Sequence, residues 1–191
     1  ESFDDLYAAI SYSDSAHSSW GLYGKKGLSE KLALTGKNSS GTVLVSKESS
    51  LDSWLVGIAR KYYFLPAASR SLNGFLELHL GGGTATYSQK IVDSTSTTHK
   101  IDGSAFVLET NAYLGMQFPL WGGLDGLIKA GYSRMHSNFF KAKSVSGTRY
   151  GSMQAGDRMA VRNGEDMRLE RDGVSVQLGL TLVFGGSSVS A

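Results

Sequence analysis

The sequence contains no cysteine and only two prolines, Pro66 and Pro119, in 191 residues. The missing thiols exclude a disulfide framework and thiolate chemistry, but they leave the redox compartment open. So few prolines beside 24 glycines exclude a collagen-like chain. Charge is scarce at 19% and close to balanced, with a net +2, so there is no electrostatic footprint for nucleic acid. Long apolar runs are also missing. The longest, 54–59, is far short of the ~20 residues a membrane-spanning helix requires. No signal peptide is visible, and Glu1 is read as the start of a mature, processed chain. A hydrophobic content of 41% is nevertheless enough to build apolar faces, and the length suits one sizeable domain. None of these absences excludes a membrane protein made of strands.

The pattern that is present has a period of two. Val174, Val176, Leu178, Leu180, Leu182 and Phe184 alternate with Ser175, Gln177, Gly179, Thr181 and Val183. Leu108, Thr110, Ala112, Leu114, Met116 and Phe118 alternate with Glu109, Asn111, Tyr113, Gly115 and Gln117. Shorter runs repeat the pattern around Leu76–Leu78–Leu80, Ile128–Ala130–Tyr132 and Leu6–Ala8–Ile10–Tyr12, and no helical stripe competes with them. The chain is therefore expected to be all-β. In a soluble sandwich the outward face is rich in Lys and Glu, but here the non-apolar face is mostly Gly, Ser, Thr, Asn, Gln and Tyr. Such a face suits the lumen of a narrow barrel, and the continuous aliphatic face suits lipid. The expected fold is an antiparallel up-and-down transmembrane β-barrel of eight strands, at 5–14, 29–36, 41–47, 53–64, 72–87, 104–118, 124–139 and 169–184. Residues 1–184 form the single domain and 185–191 a C-terminal tail. The segment 17–28 is assigned to an outer loop, and Asn163-Gly164 is a hairpin signal that leaves a ten-strand topology open. Short links carrying the prolines are assigned to one end, and the long polar links 88–103 and 141–172 to the other.

On the last strand, Gln177, Gly179, Leu182 and Phe184 form a polar-x-Gly-x-x-apolar-x-aromatic series. This looks like the signal read by the barrel-assembly machinery of Gram-negative bacteria. The segment from Gly57 to Phe64, with Arg60, Tyr62 and Tyr63, and the glycine-rich stretch 75–83 resemble paired strands of the small OmpA/OmpX-like outer-membrane barrels. The resemblance covers most of the chain from residue 53 onward. It implies an outer-membrane location with short turns on the periplasmic side, where an even number of strands also puts both termini. It also implies contact with outer-membrane lipid and lipopolysaccharide, and interaction with the assembly machinery. The family includes structural anchors and adhesins, so activity is left open.

Glu77, His79, Glu109, Asn111, Lys129 and Gln177, together with Arg60, are the candidate polar network of the lumen. Trp54, Val56 and Ile58 facing lipid would turn Arg60 outward, and the opposite choice would turn Lys61 outward. Glu77, Tyr113 and Lys129 are expected in one layer, with His79, Asn111 and Gln177 in the layer above. Their chemistry is either an ion or proton path or a plug of paired charges that fills a narrow barrel. His136 and Ser137 invite comparison with outer-membrane lipid A deacylases, but adjacent strand residues point to opposite faces. The loop 141–172 carries Lys141, Lys143, Arg149, Arg158, Arg162, Arg168 and Arg171 against five acids. Arg149, Arg158, Arg162 and Arg168 are the candidates for binding an anionic surface, a protein partner or a host surface. Loop length costs little closure free energy, so joining Ser144 to Arg168 is expected to preserve folding. Four scattered histidines form no metal-ligand spacing, and no cofactor is expected. The sequence thus favours a non-enzymatic membrane barrel acting through its loops, ahead of a narrow solute channel and a lipid A hydrolase.

Overall fold

The structure, a computed structural model, describes residues 5–37, 43–67, 71–161 and 164–182. Eight strands account for nearly all of the regular structure: β1 (Asp5–Ser15), β2 (Ser18–Lys37), β3 (Val43–Tyr63), β4 (Asn73–Val92), β5 (Thr98–Trp121), β6 (Leu124–Ser137), β7 (Lys141–Ser146) and β8 (Glu170–Leu182). Among the described residues there is no α-helix, only a single 3-10 turn at Thr148–Tyr150. The strands form one antiparallel sheet in the order β1-β2-β3-β4-β5-β6-β8, with β7 paired to the upper part of β5. Each link in this row joins sequence neighbours except the last, where the chain passes through an excursion at 138–169.

Two tight reversals define what we call the turn end. Gly122 and Gly123, at φ 55° and 84°, turn β5 into β6, which is the left-handed pair that a two-residue hairpin requires. Ala16 and His17 turn β1 into β2, and Asn73 caps the link 64–72 by bonding the backbone of Leu65 at 3.0 and 3.1 Å. The opposite, loop end carries 93–97 and the excursion.

The strand assignment differs from the sequence expectation at β2 and β3. The segment 17–28 is not a loop: Ser19, Gly21 and Tyr23 alternate with Trp20 and Leu22 along β2, paired residue for residue with β1 and β3. Three glycines and the Lys25-Lys26 pair hide this alternation, because Lys25 is buried against an acid while Lys26 points the other way. Likewise 41–47 and 53–64 are not separate strands, since residues 43–63 run through as β3. Among the described residues the row therefore has seven strands, and β7, paired to β5, is the eighth strand of the sheet. Consequently β1 and β8 run in the same direction, both toward the turn end, and the even-number ground for placing both termini there is lost. Phe184 and the tail 185–191 lie outside the described residues.

The sheet curls so that side chains of β1, β2, β4, β5 and β6 meet on a common concave face. Up to the row Trp54–Thr84–Phe106, the convex face of β3, β4 and β5 is apolar: Leu108 and Leu114 on β5, Leu78 and Leu80 on β4, and Val56 and Ile58 on β3 are exposed. So are the alternate residues Val174 to Leu182 on β8, while on β6 the change comes earlier, at Arg134 and His136 beside Thr110 and Leu108. The concave face at those levels is polar. Beyond that row the two faces exchange character without any shift of register in the β4–β5 ladder. Convex positions become Asp52, Thr86, Ser88, Lys90, Lys100, Asp102 and Ser104. Concave positions become Ala85, Ile101 and Ala105, which form a core with Leu55, Val107, Met135, Phe140, Ala142 and Met159.

This core corrects the view of the excursion as an expendable loop. Phe140, Ala142 and Met159 are at most 4% exposed, and Met159 bonds the backbones of Phe140 and Met167. Joining Ser144 to Arg168 would delete Met159 from a packed core, and losing one buried methionine costs about 2–5 kcal/mol. That deletion is now expected to unfold the loop-end half, read as lost amide protection at Ile101 and Ala105, while leaving the turn-end half of β4 and β5 protected. The hairpin signal at Asn163-Gly164 is realised only as a small reversal. Gly164 has φ 86° and donates to the Val161 carbonyl at 2.9 Å, and Ala160 bridges to Asp166. Arg162 and Asn163 lie outside the described residues.

Candidate functional site

The concave face of the turn-end half gathers the buried ionisable groups. Alternation on β4 turns Glu77 and His79 inward, and β6 brings Lys129 opposite them. Glu77 accepts a hydrogen bond from Lys129 Nζ at 3.1 Å, lies 2.6 Å from His79 Nε2, and pairs with Lys61 at 3.7 Å. Glu109, on β5, is fully buried and takes Lys25 Nζ and the Tyr23 hydroxyl, the latter at 3.2 Å. Aromatic rings fill the space between these two carboxylates. Tyr23 stacks on His79 at 4.7 Å, Tyr7 stacks on both, and Tyr113 meets His79 edge-on at 5.3 Å. Lys129 Nζ lies 4.9 Å from the Tyr7 ring and 4.7 Å from that of Tyr113, which cation–π attraction favours.

Glycines set the depth at which Tyr23 can lie. Its ring passes over Gly57 and Gly81, where a methyl group on Gly57 would stand 2.6 Å from Tyr23 Cε1. The Gly81–Gly83 run, which carries no phosphate cradle, is the place where large neighbours approach the backbone.

Of the seven lumen residues expected from the sequence, six are on the concave face. His79 and Asn111 are register partners, and Asn111 accepts from Ser133 at 2.6 Å. Gln177 is one layer from its expected place. It pairs with Lys129 and donates to the Tyr113 hydroxyl at 3.1 Å, joining the Glu77 layer rather than that of His79. Arg60 is the exception. It points to the convex face at the turn end, bonding Asp14 at 2.6 Å and Ser18 at 2.9 Å and lying 4.6 Å from the Trp20 ring. Lys61 takes the inward position. Sequence reasoning missed Tyr7, Tyr23 and Lys25 and left Lys61 undecided. Tyr23 and Lys25 were hidden inside a supposed loop, and Lys61 turned on the choice of face at Arg60.

At the loop end, Asp93 organises the β4–β5 connection. Its carboxylate accepts from the Thr95 hydroxyl at 2.6 Å, from the backbone N–H groups of Thr95 and Thr97, and from His99 Nε2 at 3.1 Å. The backbone N–H of Arg149 donates to His99 Nδ1 at 3.3 Å, so the ring's proton sits on Nε2 and the imidazole ties the excursion to this hairpin. The Thr95 hydroxyl, then His99 and the Thr97 amide, hold the Asp93 carboxyl well below its ordinary value. A depressed carboxyl stabilises the fold above its unfolded pKa and stops doing so as pH falls through the folded value. Amide exchange at Thr95 and Thr97 is therefore expected to accelerate as pH drops below about 3.8, and Asp93→Asn should remove that dependence.

The proposed binding arginines are spread along the excursion, with Arg158 and Arg168 flanking the Met159–Met167 backbone bond. Arg158 stacks at 4.0 Å from the Phe139 ring and meets Asp166 at 3.2 Å, Arg149 sits in the 3-10 turn, and Arg168 is exposed. Arg162 lies outside the described residues. His136 is on the convex face, 3.3 Å from Glu170. Ser137 is fully buried on the other face, bonded to Asn138 O and the Leu169 amide, both at 2.7 Å. Among the described residues, no three His, Asp or Glu side chains gather to hold a metal. Comparison of the chain with protein families, with curated proteins and with solved structures returns no match.

Proposed function

We propose that this protein is an integral outer-membrane β-barrel without catalytic activity, acting through its loop end in adhesion, partner binding or envelope structure. The observation that carries the reading is the exchange of polarity between the two faces at the Trp54–Thr84–Phe106 row. Only a surface that passes from one solvent to another has reason to be aliphatic below a level and polar above it. The apolar run on β8, 174–182, has the length of a tilted strand crossing hydrocarbon, about 9–11 residues. Leu178 is 78% exposed and Ile10 75%, within a convex patch far larger than soluble monomers tolerate. All three tryptophans lie exposed at its borders, Trp54 toward the loop end and Trp20 and Trp121 at the turn end, as aromatic girdles do.

The two compartments of the concave face argue for a plug over a channel. Paired charges and stacked rings fill the turn-end half, and a methionine-rich core closes the loop-end half. Planar bilayers containing the purified protein should show no steady conductance. Discrete ion-conducting steps that vanish in Glu77→Gln would favour the channel instead. A lipid A hydrolase would need His136 to reach Ser137, and the sheet separates them. On this reading the short turns belong on the periplasmic side and the excursion outside, as in bacterial outer-membrane barrels. Trypsin added to intact Gram-negative cells expressing the protein should cut at exposed excursion residues such as Arg149 while leaving a protected strand-level fragment. Recovery of uncut protein in the soluble fraction would overturn the assignment.

A further inference from the structure

We infer that the seam between β1 and β8 receives one extended polypeptide strand from outside residues 1–191, running antiparallel to both edges and completing the barrel wall. The inference rests on the membrane reading above and names what that reading leaves unfilled. Every neighbouring pair in the row is joined by an antiparallel ladder, but among the described residues none joins β1 to β8. An odd row of alternating strands leaves its two edges parallel to each other. Direct closure would thus insert a parallel pair into a wholly antiparallel sheet, whereas one added strand meets both edges antiparallel.

Burial points to the same place. Concave residues on β2 to β6, such as Lys25, Ala59, Glu77, Glu109 and Lys129, are buried, yet Ala9, Ser11 and Ser13 on β1 and Gly179 on β8 are exposed. Bare edge N–H and C=O groups have no partner in hydrocarbon, where each costs several kcal/mol.

The edges also specify the chemistry of the occupant. Leu6, Ile10 and Tyr12 flank the seam outside on one edge, and Val176, Leu178 and Leu180 on the other, so every second residue of the strand is aliphatic. Inside, Tyr7, Tyr113 and Lys129 already occupy the space, so the alternate residues are small: Gly, Ala, Ser or Thr. A second copy of this chain does not fit. Its β1 could pair antiparallel with β1 only by inverting its loop end across the bilayer, and its β8 would pair with β1 in parallel.

Amide hydrogen exchange on the chain folded in detergent micelles tests this, using a synthetic peptide as long as the run 174–182 that alternates Leu or Val with Ser or Thr. Its control has the same composition with the apolar residues in one block. The seam-facing amides of β1 and β8 should exchange almost freely without peptide, and be slowed at least about tenfold by the alternating peptide but not by the control. Central β4 and β5 amides, protected throughout, show that the sheet is folded. If the sheet proves folded in plain buffer, the membrane reading fails, but the seam can still be read from the same amides. Edge protection without peptide overturns the inference, whether the species is monomeric (direct closure), doubled in mass (a second copy) or loses protection on truncation after Phe184 (the chain's own tail). Absence of protection at saturating alternating peptide overturns it as well.

Discussion

Replacing Glu109 with Gln is expected to destabilise the folded protein by about 3–5 kcal/mol, the cost of removing one partner from a buried ion pair. Glu109 is 0% exposed and its carboxylate neutralises Lys25, itself 6% exposed, while also accepting from the Tyr23 hydroxyl. The amide of Gln keeps the shape and one acceptor but not the charge. Removing both charges together, as Lys25→Met with Glu109→Leu, should recover most of the loss, because desolvation of an ion pair offsets much of its attraction. Urea unfolding from micelles, followed by tryptophan fluorescence, measures both variants. A Glu109→Gln midpoint equal to that of the parent would mean that Lys25 and Glu109 are hydrated, and the plug would no longer be a dry, paired structure.

The second large effect concerns the glycines beneath Tyr23. A Cβ at Gly57 would press on the Leu80 carbonyl and stand 2.6 Å from Gly81 Cα, so β3 and β4 must separate to admit it. Gly57→Val is expected to cost at least the ~3 kcal/mol at the upper end of overpacking penalties, because the obstacle is backbone rather than a movable side chain. Gly24→Ala provides the matched control. Nothing lies within 4 Å of a Cβ there, so relief of glycine's backbone entropy should leave stability unchanged or raised by about 0.5–1 kcal/mol. Equal losses in the two variants would show that the close approach of the β3 and β4 backbones at Gly57 is not the constraint.

These predictions use residues whose visibility in the sequence was uneven. Glu77, His79, Glu109 and Lys129 could be found because each interrupts a clean alternation with a charge on the small-residue face of an otherwise aliphatic strand. Lys25 and Tyr23 could not. Gly21, Gly24 and Gly27 dilute the apolar pattern of β2, and two adjacent lysines resemble a solvated loop until Glu109 is seen to hold one of them. Arg60 and Lys61 present the same difficulty in miniature, since two adjacent cations on a strand leave the choice of face to partners elsewhere in the chain. Asp14 and the Trp20 ring draw Arg60 outward, and Glu77 draws Lys61 inward. The excursion was misjudged for a related reason. Its composition is that of a solvated loop, but Phe140, Ala142 and Met159 are spaced to cover the far end of the concave face, a role that depends on chain reversal. The exchange of polarity along β4 and β5 was present in the letters throughout. A fixed parity carries Lys100, Asp102 and Ser104 and then Phe106, Leu108 and Leu114, but the register across strands was needed to show that the change falls at one level on β3, β4 and β5.

That level is what the central claim depends on, and the three tryptophans report it directly. Trp20, Trp54 and Trp121 are 49%, 55% and 73% exposed, all at the borders of the convex apolar band. The decisive measurement is quenching of their fluorescence, in protein reconstituted into phosphatidylcholine vesicles, by lipids brominated at successive acyl-chain depths. The account predicts quenching that is strongest for bromines near the headgroup and weakest at the bilayer centre, with little additional quenching by aqueous acrylamide. Tryptophans fully accessible to acrylamide and indifferent to bromine at every depth would contradict it.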